Sequence, residues 1–138
     1  MPNEKILIVE DEEIVARDIK YFLEEWGYSV LKLVNNGHEA VESTIELKPD
    51  LILMDIHLAG EMDGIEASRQ IKETTGTPII YLTAYADEST RGSASLTEPE
   101  EYLTKPFSEL ELKMAIEKSL ANKKMTFVFL NYDDYFRC

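Results

Sequence analysis

The chain has 138 residues, of which 44% are hydrophobic and 30% are charged, so it can form one domain with a hydrophobic core and is not composed like a disordered protein. Its formal net charge of −13 disfavours non-specific binding to nucleic acid or to an anionic membrane, because their phosphate groups would repel it. The single cysteine, Cys138, excludes an internal disulfide and a cysteine-based metal site. No apolar run reaches the roughly 18 residues of a membrane span, and the N-terminus does not resemble a signal peptide, so we expect a cytoplasmic protein.

Short apolar runs alternate with amphipathic segments along the chain, which is typical of a parallel sheet covered by helices on both faces. Strands are predicted near residues 5–10, 29–34, 51–55, 78–83 and 101–104. Helices are predicted at about 12–25, 37–48, 64–73, 87–96 and 108–122. The sequence therefore predicts an α/β fold with a doubly wound five-stranded sheet.

The helices are predicted from apolar residues that recur every three or four positions. Ser108 and Glu111 have the spacing of a capping box, which predicts the start of the fifth helix. Gly92 weakens the fourth helix by about 1 kcal/mol. The residues expected to face inward are Ile14, Ile19, Phe22, Leu23 and Trp26 in the first helix, Ala40, Val41, Ile45 and Leu47 in the second, Ile65, Ala67 or Ser68, and Ile71 in the third, and Leu110, Met114, Ile116 or Ala115, and Leu120 in the fifth.

Four predicted strands end on residues with reactive or charge-binding side chains. Glu10 and Asp11 follow the first strand, Asp55 the third, Thr83 the fourth and Lys105 the fifth. Because the carboxyl ends of parallel strands line one edge of a sheet, these side chains can converge there. Carboxylates suit a hard cation such as Mg2+, and a hydroxyl and an ammonium suit phosphate oxygens. The pattern therefore predicts a site for a divalent cation and a phosphoryl group.

The segments ILIVEDE, DLILMDIHLAGEMDGIEA, PIIYLTAYAD and EYLTKPF occur in this order, each at a predicted strand end. Together they resemble the diagnostic segments of the response-regulator receiver domain, the phosphoacceptor module of two-component signalling. The resemblance covers roughly residues 4–122. It implies a flavodoxin-like sheet of strand order 2-1-3-4-5, an aspartyl phosphate as product, Mg2+ as cofactor, and a sensor histidine kinase or phosphotransfer protein as phosphodonor. The oxygen ligands also suit Mn2+.

The resemblance also implies the roles of the acidic residues. Asp55 would be the nucleophile that accepts the phosphoryl group. Asp11 would bind the metal ion directly and Glu10 through water, with Asp55 and the backbone carbonyl of His57 as further ligands. Glu10 departs from the two aspartates that are most frequent in the family. The adjacent Glu12 and Glu13 are expected to be solvated and to cap the first helix, near whose N-terminus negative charge is favourable.

Further roles follow from the resemblance for the residues around the acids. Lys105 would pair with the acid cluster at rest and with a phosphate oxygen afterwards, while Thr83 would donate its hydroxyl to the phosphate. Tyr102 lies at the position of the family's rotating aromatic switch, although a tyrosine that only fills the core is the rival interpretation. Pro106 lies where the family often has a cis peptide bond, and Asp63-Gly64 would make a turn and start the third helix.

Two other functional classes fit parts of the pattern. A phosphohydrolase of the haloacid dehalogenase type uses a similar set of residues, but it needs a second aspartate where this chain has His57. A flavodoxin-like binding module needs a loop rich in Ser, Thr or Gly after the first strand, where this chain has acidic residues 10–13. We therefore favour the receiver, which assists its own phosphorylation and dephosphorylation but is not a conventional turnover enzyme.

The last part of the chain, residues 125–138, has no receiver counterpart. It contains several aromatic residues and could dock on the domain or on a second copy, lead to an output domain, or be a non-native extension. We place the receiver domain at residues 1–124 and the tail at 125–138. The downstream partner or output domain is not identified by the sequence, a homodimer remains open, and the acidic balance predicts no direct binding of this fragment to nucleic acid.

Overall fold

The computed structural model describes residues 3–84 and 87–136, with side chains as far as residue 122. The strands are β1 Lys5–Val9, β2 Ser29–Val34, β3 Leu51–Met54, β4 Ile79–Thr83 and β5 Glu101–Thr104. The helices are α1 Glu13–Glu25, α2 Gly37–Leu47, α3 Gly64–Thr74, α4 Glu88–Ser95 and α5 Glu109–Phe136. The predicted alternation of strands and helices is confirmed, and the strand boundaries differ from the prediction by one residue at most. Within the described part of the chain, no helix is long and apolar enough to cross a membrane.

The five strands form one parallel sheet in the order β2-β1-β3-β4-β5, as the resemblance implies. A single register row crosses four of these strands through Val9, Met54, Tyr81 and Tyr102. Because all strands run in the same direction, the residues that follow this row lie at one edge of the sheet. The register of these strands therefore determines which residues after the strand ends can contact one another.

Alternate residues of the central strands point into two separate hydrophobic cores. Ile6 and Ile8 of β1 pack in the core that contains α1 and α5, whereas Leu7 and Val9 pack in the core that contains α2, α3 and α4. Strands that are buried on both faces need nearly continuous apolar sequence, which explains runs such as Leu51–Met54.

Four apolar residues that we predicted to be buried are exposed. The exposed fractions are 77% for Ile14, 49% for Ile45, 65% for Leu110 and 60% for Met114. The inward stripe of α1 is formed by Ala16, Ile19 and Leu23, and that of α5 by Leu112, Ala115, Ile116, Ser119 and Leu120. At about 100° per residue, Leu110 and Met114 lie two residues, or about 160°, from the α5 stripe that starts at Leu112. The prediction was based on the apolar character of these residues. Their burial is decided instead by which side of each helix faces the core.

Helix α5 is longer than predicted, since it continues past residue 122 to Phe136. The sequence after residue 122 contains neither glycine nor proline, so no residue of a type that normally ends a helix is present there. The helix thus runs through the predicted boundary at residue 124. The side chains of the predicted tail, residues 125–138, lie outside those that the structure describes.

The predicted capping box is present at the start of α5, whereas the capping expected of the acids before α1 is not found. The Ser108 hydroxyl accepts a hydrogen bond from the Glu111 amide at 3.1 Å, and the Glu111 carboxylate accepts one from the Ser108 amide at 3.3 Å, which confirms the capping box. Glu12 occupies the N-cap position of α1, but its side chain makes no capping hydrogen bond. Glu12 and Glu13 are exposed as predicted, and Glu13 pairs with Arg17 instead.

Candidate functional site

Three carboxyl groups meet at the carboxyl edge of the sheet. One oxygen from each of Glu10, Asp11 and Asp55 can be chosen so that all three lie within 4.8 Å of one another. Glu10 and Asp55 are buried, and Asp11 is exposed. The adjacent strands β1 and β3 bring them together, since the Asp55 amide donates to the Val9 carbonyl at 2.9 Å. The predicted convergence of these acids is therefore present.

Lys105 follows the edge strand β5 and reaches two of the three acids. Its Nζ lies 2.5 Å from Glu10 Oε1 and 3.5 Å from Asp55 Oδ2. The peptide bond from Lys105 to Pro106 is cis, as the resemblance implies. The ammonium group thus forms its short hydrogen bond with Glu10 and a longer ion pair with Asp55.

The turn after β3 holds the backbone of Asp55 tightly. The Gly64 amide donates to the Ile56 carbonyl at 2.7 Å, and a Cβ added at Gly64 would lie 2.1 Å from the Asp55 carbonyl oxygen. Asp63 caps α3 by accepting a hydrogen bond from the Glu66 amide at 2.9 Å. Only glycine fits at the start of α3, which gives the predicted Asp63-Gly64 turn its physical reason.

The orientation of the Asp55 carboxylate is set by the chain that follows it. Oδ1 accepts a hydrogen bond from the His57 amide at 3.2 Å. The side chain of His57 is exposed, whereas the resemblance assigns a role only to its backbone carbonyl. Asp55 Oδ2 is left to face Lys105.

Thr83 ends β4 beside the acid cluster and is fully buried. Its carbonyl accepts a hydrogen bond from the Lys105 amide at 2.7 Å. This contact ties the backbones of the two predicted phosphate-binding residues together. Tyr85 occupies the position two residues after Thr83 that the resemblance associates with access of water to an aspartyl phosphate, and it lies outside the described residues.

Tyr102 lies on β5 in a half-buried position, between a buried tyrosine and a surface arginine. Its ring makes an edge contact with Tyr81, with centroids 6.1 Å apart, and the guanidinium carbon of Arg91 lies 4.6 Å from its centroid. The hydroxyl groups of Tyr81 and Thr97 are 2.7 Å apart, which links β4 to the end of α4. Sequence analysis missed Arg91 and Thr97, because no pattern distinguishes them from other polar residues near α4.

Burial is the largest cause of the raised pKa values of the three acids in the cluster. Burial raises the pKa of Asp55, although the Glu10 carboxyl and the charge of Lys105 act in the opposite direction. Burial likewise raises the pKa of Glu10 against the effect of its hydrogen bond with Lys105. The pKa of Asp11 is raised by partial burial and then by the adjacent Glu10. For Lys105, burial lowers the pKa, but Glu10 and Asp55 outweigh it, so the net direction is upward.

The donor set of this cluster fits a hard divalent cation. Three carboxyl groups face the single ammonium group of Lys105, so the charged cluster has an excess of negative charge. Oxygen donors with this charge are those that Mg2+ prefers in proteins. The buried carboxylates are also poorly solvated, which makes a bound cation more favourable than it would be at an open surface.

Comparisons with known proteins agree with the fold. The family described as the response regulator receiver domain matches residues 6–117. Transcriptional regulatory protein ResD of Bacillus subtilis is 38% identical over 125 residues, which cover 91% of this chain and 51% of ResD. The chain belongs to the response regulator receiver domain family. It spans about half the length of the curated relatives it matches.

Solved receiver domains have the same fold. The receiver domain of a modulated diguanylate cyclase from Desulfovibrio desulfuricans superposes with a TM-score of 0.84 at 36% identity, covering 90% of this chain and 98% of that chain. The receiver domain of sensor histidine kinase PA1611 from Pseudomonas aeruginosa, solved with a magnesium ion in its active site cleft, gives 0.79 at 34% identity, covering 86% and 98%. The fold and the family match thus define a receiver domain of two-component response regulators, and the phosphohydrolase and the flavodoxin-like binding module are set aside.

Proposed function

We propose that Asp55 accepts the phosphoryl group from a sensor histidine kinase or a phosphotransfer protein. The observation that carries this proposal is the central position of Asp55, which directly follows β3, between the acids that follow β1 and the Thr83 end of β4. Glu10 is already engaged by Lys105 at 2.5 Å. Asp11 is exposed at the rim. Asp55 presents one oxygen to the His57 amide and the other to Lys105.

A carboxylate is a weak nucleophile, and its charge repels an incoming phosphoryl group. A bound Mg2+ would offset this repulsion by neutralising charge on both groups. The ligands would be Asp11 directly, Glu10 through water, Asp55, and the backbone carbonyl of His57, the last by family resemblance. Mn2+ fits the same oxygen donors. Asp11 is suited to direct contact because it is the exposed member of the set.

Lys105 and Thr83 would bind the oxygens of the transferred group. The ammonium of Lys105 lies 3.5 Å from Asp55 Oδ2, so a phosphoryl group on this oxygen would be within its reach. An ammonium-to-phosphate hydrogen bond is charge-assisted and stronger than a neutral one. Thr83 supplies a hydroxyl from the neighbouring strand β4.

We further propose that the signal leaves the site through Thr83 and Tyr102. A movement of Thr83 towards the phosphate would vacate space beside β4, and Tyr102 on β5 would turn inward to fill it. This rotation would change the surface formed by α4, β5 and α5, where a downstream partner, an output domain or a second copy of the chain would bind. The net charge of −13 favours a protein partner over direct contact with nucleic acid.

The acceptor is tested by intact mass after incubation with a small-molecule phosphodonor and Mg2+. The parent chain should gain one phosphoryl group that hydroxylamine removes, and Asp55→Asn should gain none while keeping its melting transition. Asp50→Asn is a matched control, because Asp50 precedes β3 at the opposite end of the strand. Equal labelling of Asp55→Asn and the parent would exclude Asp55 as the acceptor.

A further inference from the structure

A chain of hydroxyl groups fastens the end of α4 to the sheet. The Thr97 hydroxyl donates to the Ala94 carbonyl at 2.6 Å, and the hydroxyl oxygens of Tyr81 and Thr97 are 2.7 Å apart. A threonine hydroxyl has one proton to donate. Because Thr97 gives this proton to Ala94, the Tyr81 hydroxyl is the donor in the hydrogen bond with Thr97. Tyr81 and Thr97 are both buried, so water competes weakly for this contact.

Little buried surface holds α4 apart from this hydrogen bond. Within Glu88–Ser95, Ala94 is the one buried residue, and its side chain is a single methyl group. A cleft of about 430 Å3 lies between α3 and the end of α4, with Arg69 on one side and Leu96 on the other. The end of α4 therefore has open space towards α3, and the hydrogen bond from Tyr81 is a large part of its attachment.

A second hydroxyl, that of Ser68, lies near Tyr81 without a hydrogen-bond partner. Ser68 is on the buried side of α3 between Ala67 and Ile71, which pack in the same core as Tyr81. Burial raises the pKa of Tyr81, and the neighbouring Ser68 and Thr97 hydroxyls lower it. Ser68 Oγ is completely buried and has no hydrogen-bond partner among the described residues. Because an unpaired buried hydroxyl is unfavourable, Ser68 is an acceptor for Tyr81 that is unused at rest.

We propose that the Tyr81 hydroxyl is a latch for α4 with two positions. At rest it donates to Thr97 and holds the end of α4 on the sheet. When α4 shifts away from β4, the same hydroxyl donates to Ser68, so that the hydrogen bond lost to α4 is replaced by one to α3. A phenolic O–H can change its acceptor by rotating about the C–O bond while the ring stays in the core. Replacing the lost hydrogen bond lowers the free-energy cost of moving α4, as a two-state element requires.

This inference rests on the proposed function in one respect, that α4 belongs to the signalling surface. The ring of Tyr81 contacts that of Tyr102, with centroids 6.1 Å apart, so the latch lies directly beneath this surface. The attachment of α4 can be measured in the unphosphorylated chain. A failure of the latch therefore leaves the labelling test of Asp55 unaffected, and a failure of Asp55 to be labelled leaves the latch intact.

The test is amide hydrogen exchange of the full chain without a phosphodonor, measured separately for α4 and for the other helices. Tyr81→Phe removes the hydroxyl but keeps the ring, and it should speed exchange of the α4 amides by about tenfold, the effect of one lost hydrogen bond. Exchange in α1 should change by less than about twofold, which distinguishes loss of the latch from global destabilisation. Thr97→Val should act like Tyr81→Phe, whereas Thr97→Ser retains a hydroxyl and should exchange like the parent.

Ser68→Ala tests the second position of the latch. Without Ser68 the shifted state leaves the Tyr81 hydroxyl unpaired, so exchange of the α4 amides should slow by about threefold in the parent. In the Tyr81→Phe background the same substitution should leave α4 exchange unchanged, because no hydroxyl is present to change partner. A Ser68 side chain that only fills space would act equally in the two backgrounds.

Tyr28→Phe is the matched control, because Tyr28 is a buried tyrosine in the core that contains α1 and α5, and α4 exchange should not respond to it. Each variant must first show a cooperative melting transition, and Thr97→Val replaces Tyr81→Phe in the cycle if the latter does not fold. Unchanged α4 exchange in Tyr81→Phe and Thr97→Val overturns the latch. An effect of Ser68→Ala that is absent from the parent, or equal in the two backgrounds, overturns its second position.

Discussion

The guanidinium group of Arg91 lies over the ring of Tyr102, with 4.6 Å between the guanidinium carbon and the ring centroid. Arg91 belongs to α4 and Tyr102 to β5, so the contact joins two elements of the proposed signalling surface. The ring of Tyr102 also makes an edge contact with the buried Tyr81. The ring thus contacts one exposed side chain, Arg91, and one buried side chain, Tyr81. Of these two, only Arg91 can be truncated without leaving a cavity in the core.

Arg91→Ala is expected to lower the free energy of unfolding by about 0.5–1 kcal/mol, the usual size of an exposed cation–π contact. It should also increase the inward population of Tyr102, which aromatic NMR shifts of this residue would measure. Arg17→Ala is the control, because Arg17 is exposed on α1 and pairs with Glu13 of the same helix. Identical Tyr102 shifts in Arg91→Ala and the parent would mean that Arg91 does not restrain the ring.

Gly64→Ala is expected to destabilise the domain by about 1–3 kcal/mol, the range for overpacking. The added Cβ would lie 2.1 Å from the Asp55 carbonyl oxygen and must displace backbone. Gly92→Ala is a matched control with the opposite sign, because, apart from the adjoining backbone of its own helix and its two chain neighbours, no atom lies within 4 Å of its added Cβ. Replacing a glycine within a helix by alanine should stabilise by about 0.5–1 kcal/mol. Urea unfolding of both variants measures the two effects, and similar values for the two would contradict the close approach at Asp55.

Stability contributed by Glu10 and Asp55 is expected to decrease as the pH rises from about 4 towards neutrality without a divalent cation. Burial raises the pKa values of both carboxyl groups above the ordinary 4.5 and 3.8. The folded chain therefore binds more protons in this range, so their contribution is complete below the ordinary pKa and is lost as the pH passes through the raised one.

Asp55→Asn removes one of these groups, so its stability relative to the parent should increase as the pH rises through the same range. Urea unfolding at several pH values gives this difference. Asp18→Asn, an exposed substitution on α1, serves as the control. A difference between Asp55→Asn and the parent that is constant with pH would show that Asp55 is not destabilised by burial in the folded chain.

Millimolar Mg2+ is expected to raise the melting temperature at neutral pH, because it binds the folded acid cluster and not the unfolded chain. At ten times the dissociation constant, the free energy of unfolding increases by about 1.4 kcal/mol, which corresponds to a few degrees for a domain of this size. Chelation should reverse the shift, and Asp11→Ala should abolish it. A melting curve that does not change across the titration would mean that the three acids do not form a cation site.

The strand-end residues could be predicted because they depend on local pattern and on one general rule of parallel sheets. Each apolar run identifies a strand, and the residue after it lies at the carboxyl edge. This was sufficient to predict that Glu10, Asp11 and Asp55 converge, as the structure shows. It was not sufficient to predict that Lys105 is bound by Glu10 in preference to Asp55, since that depends on side-chain reach across two intervening strands.

The sequence by itself determined the order of strands and helices, the capping box at Ser108 and the chemistry at each strand end, because these are encoded within a few residues of one another. Only the tertiary structure decided which side of each helix is buried, so that Leu112 is inside and Leu110 outside. It also decided that Arg91 covers Tyr102 and that no Cβ fits at position 64. These features depend on helix rotation and on distances between elements that are remote in sequence, which packing fixes and local pattern does not.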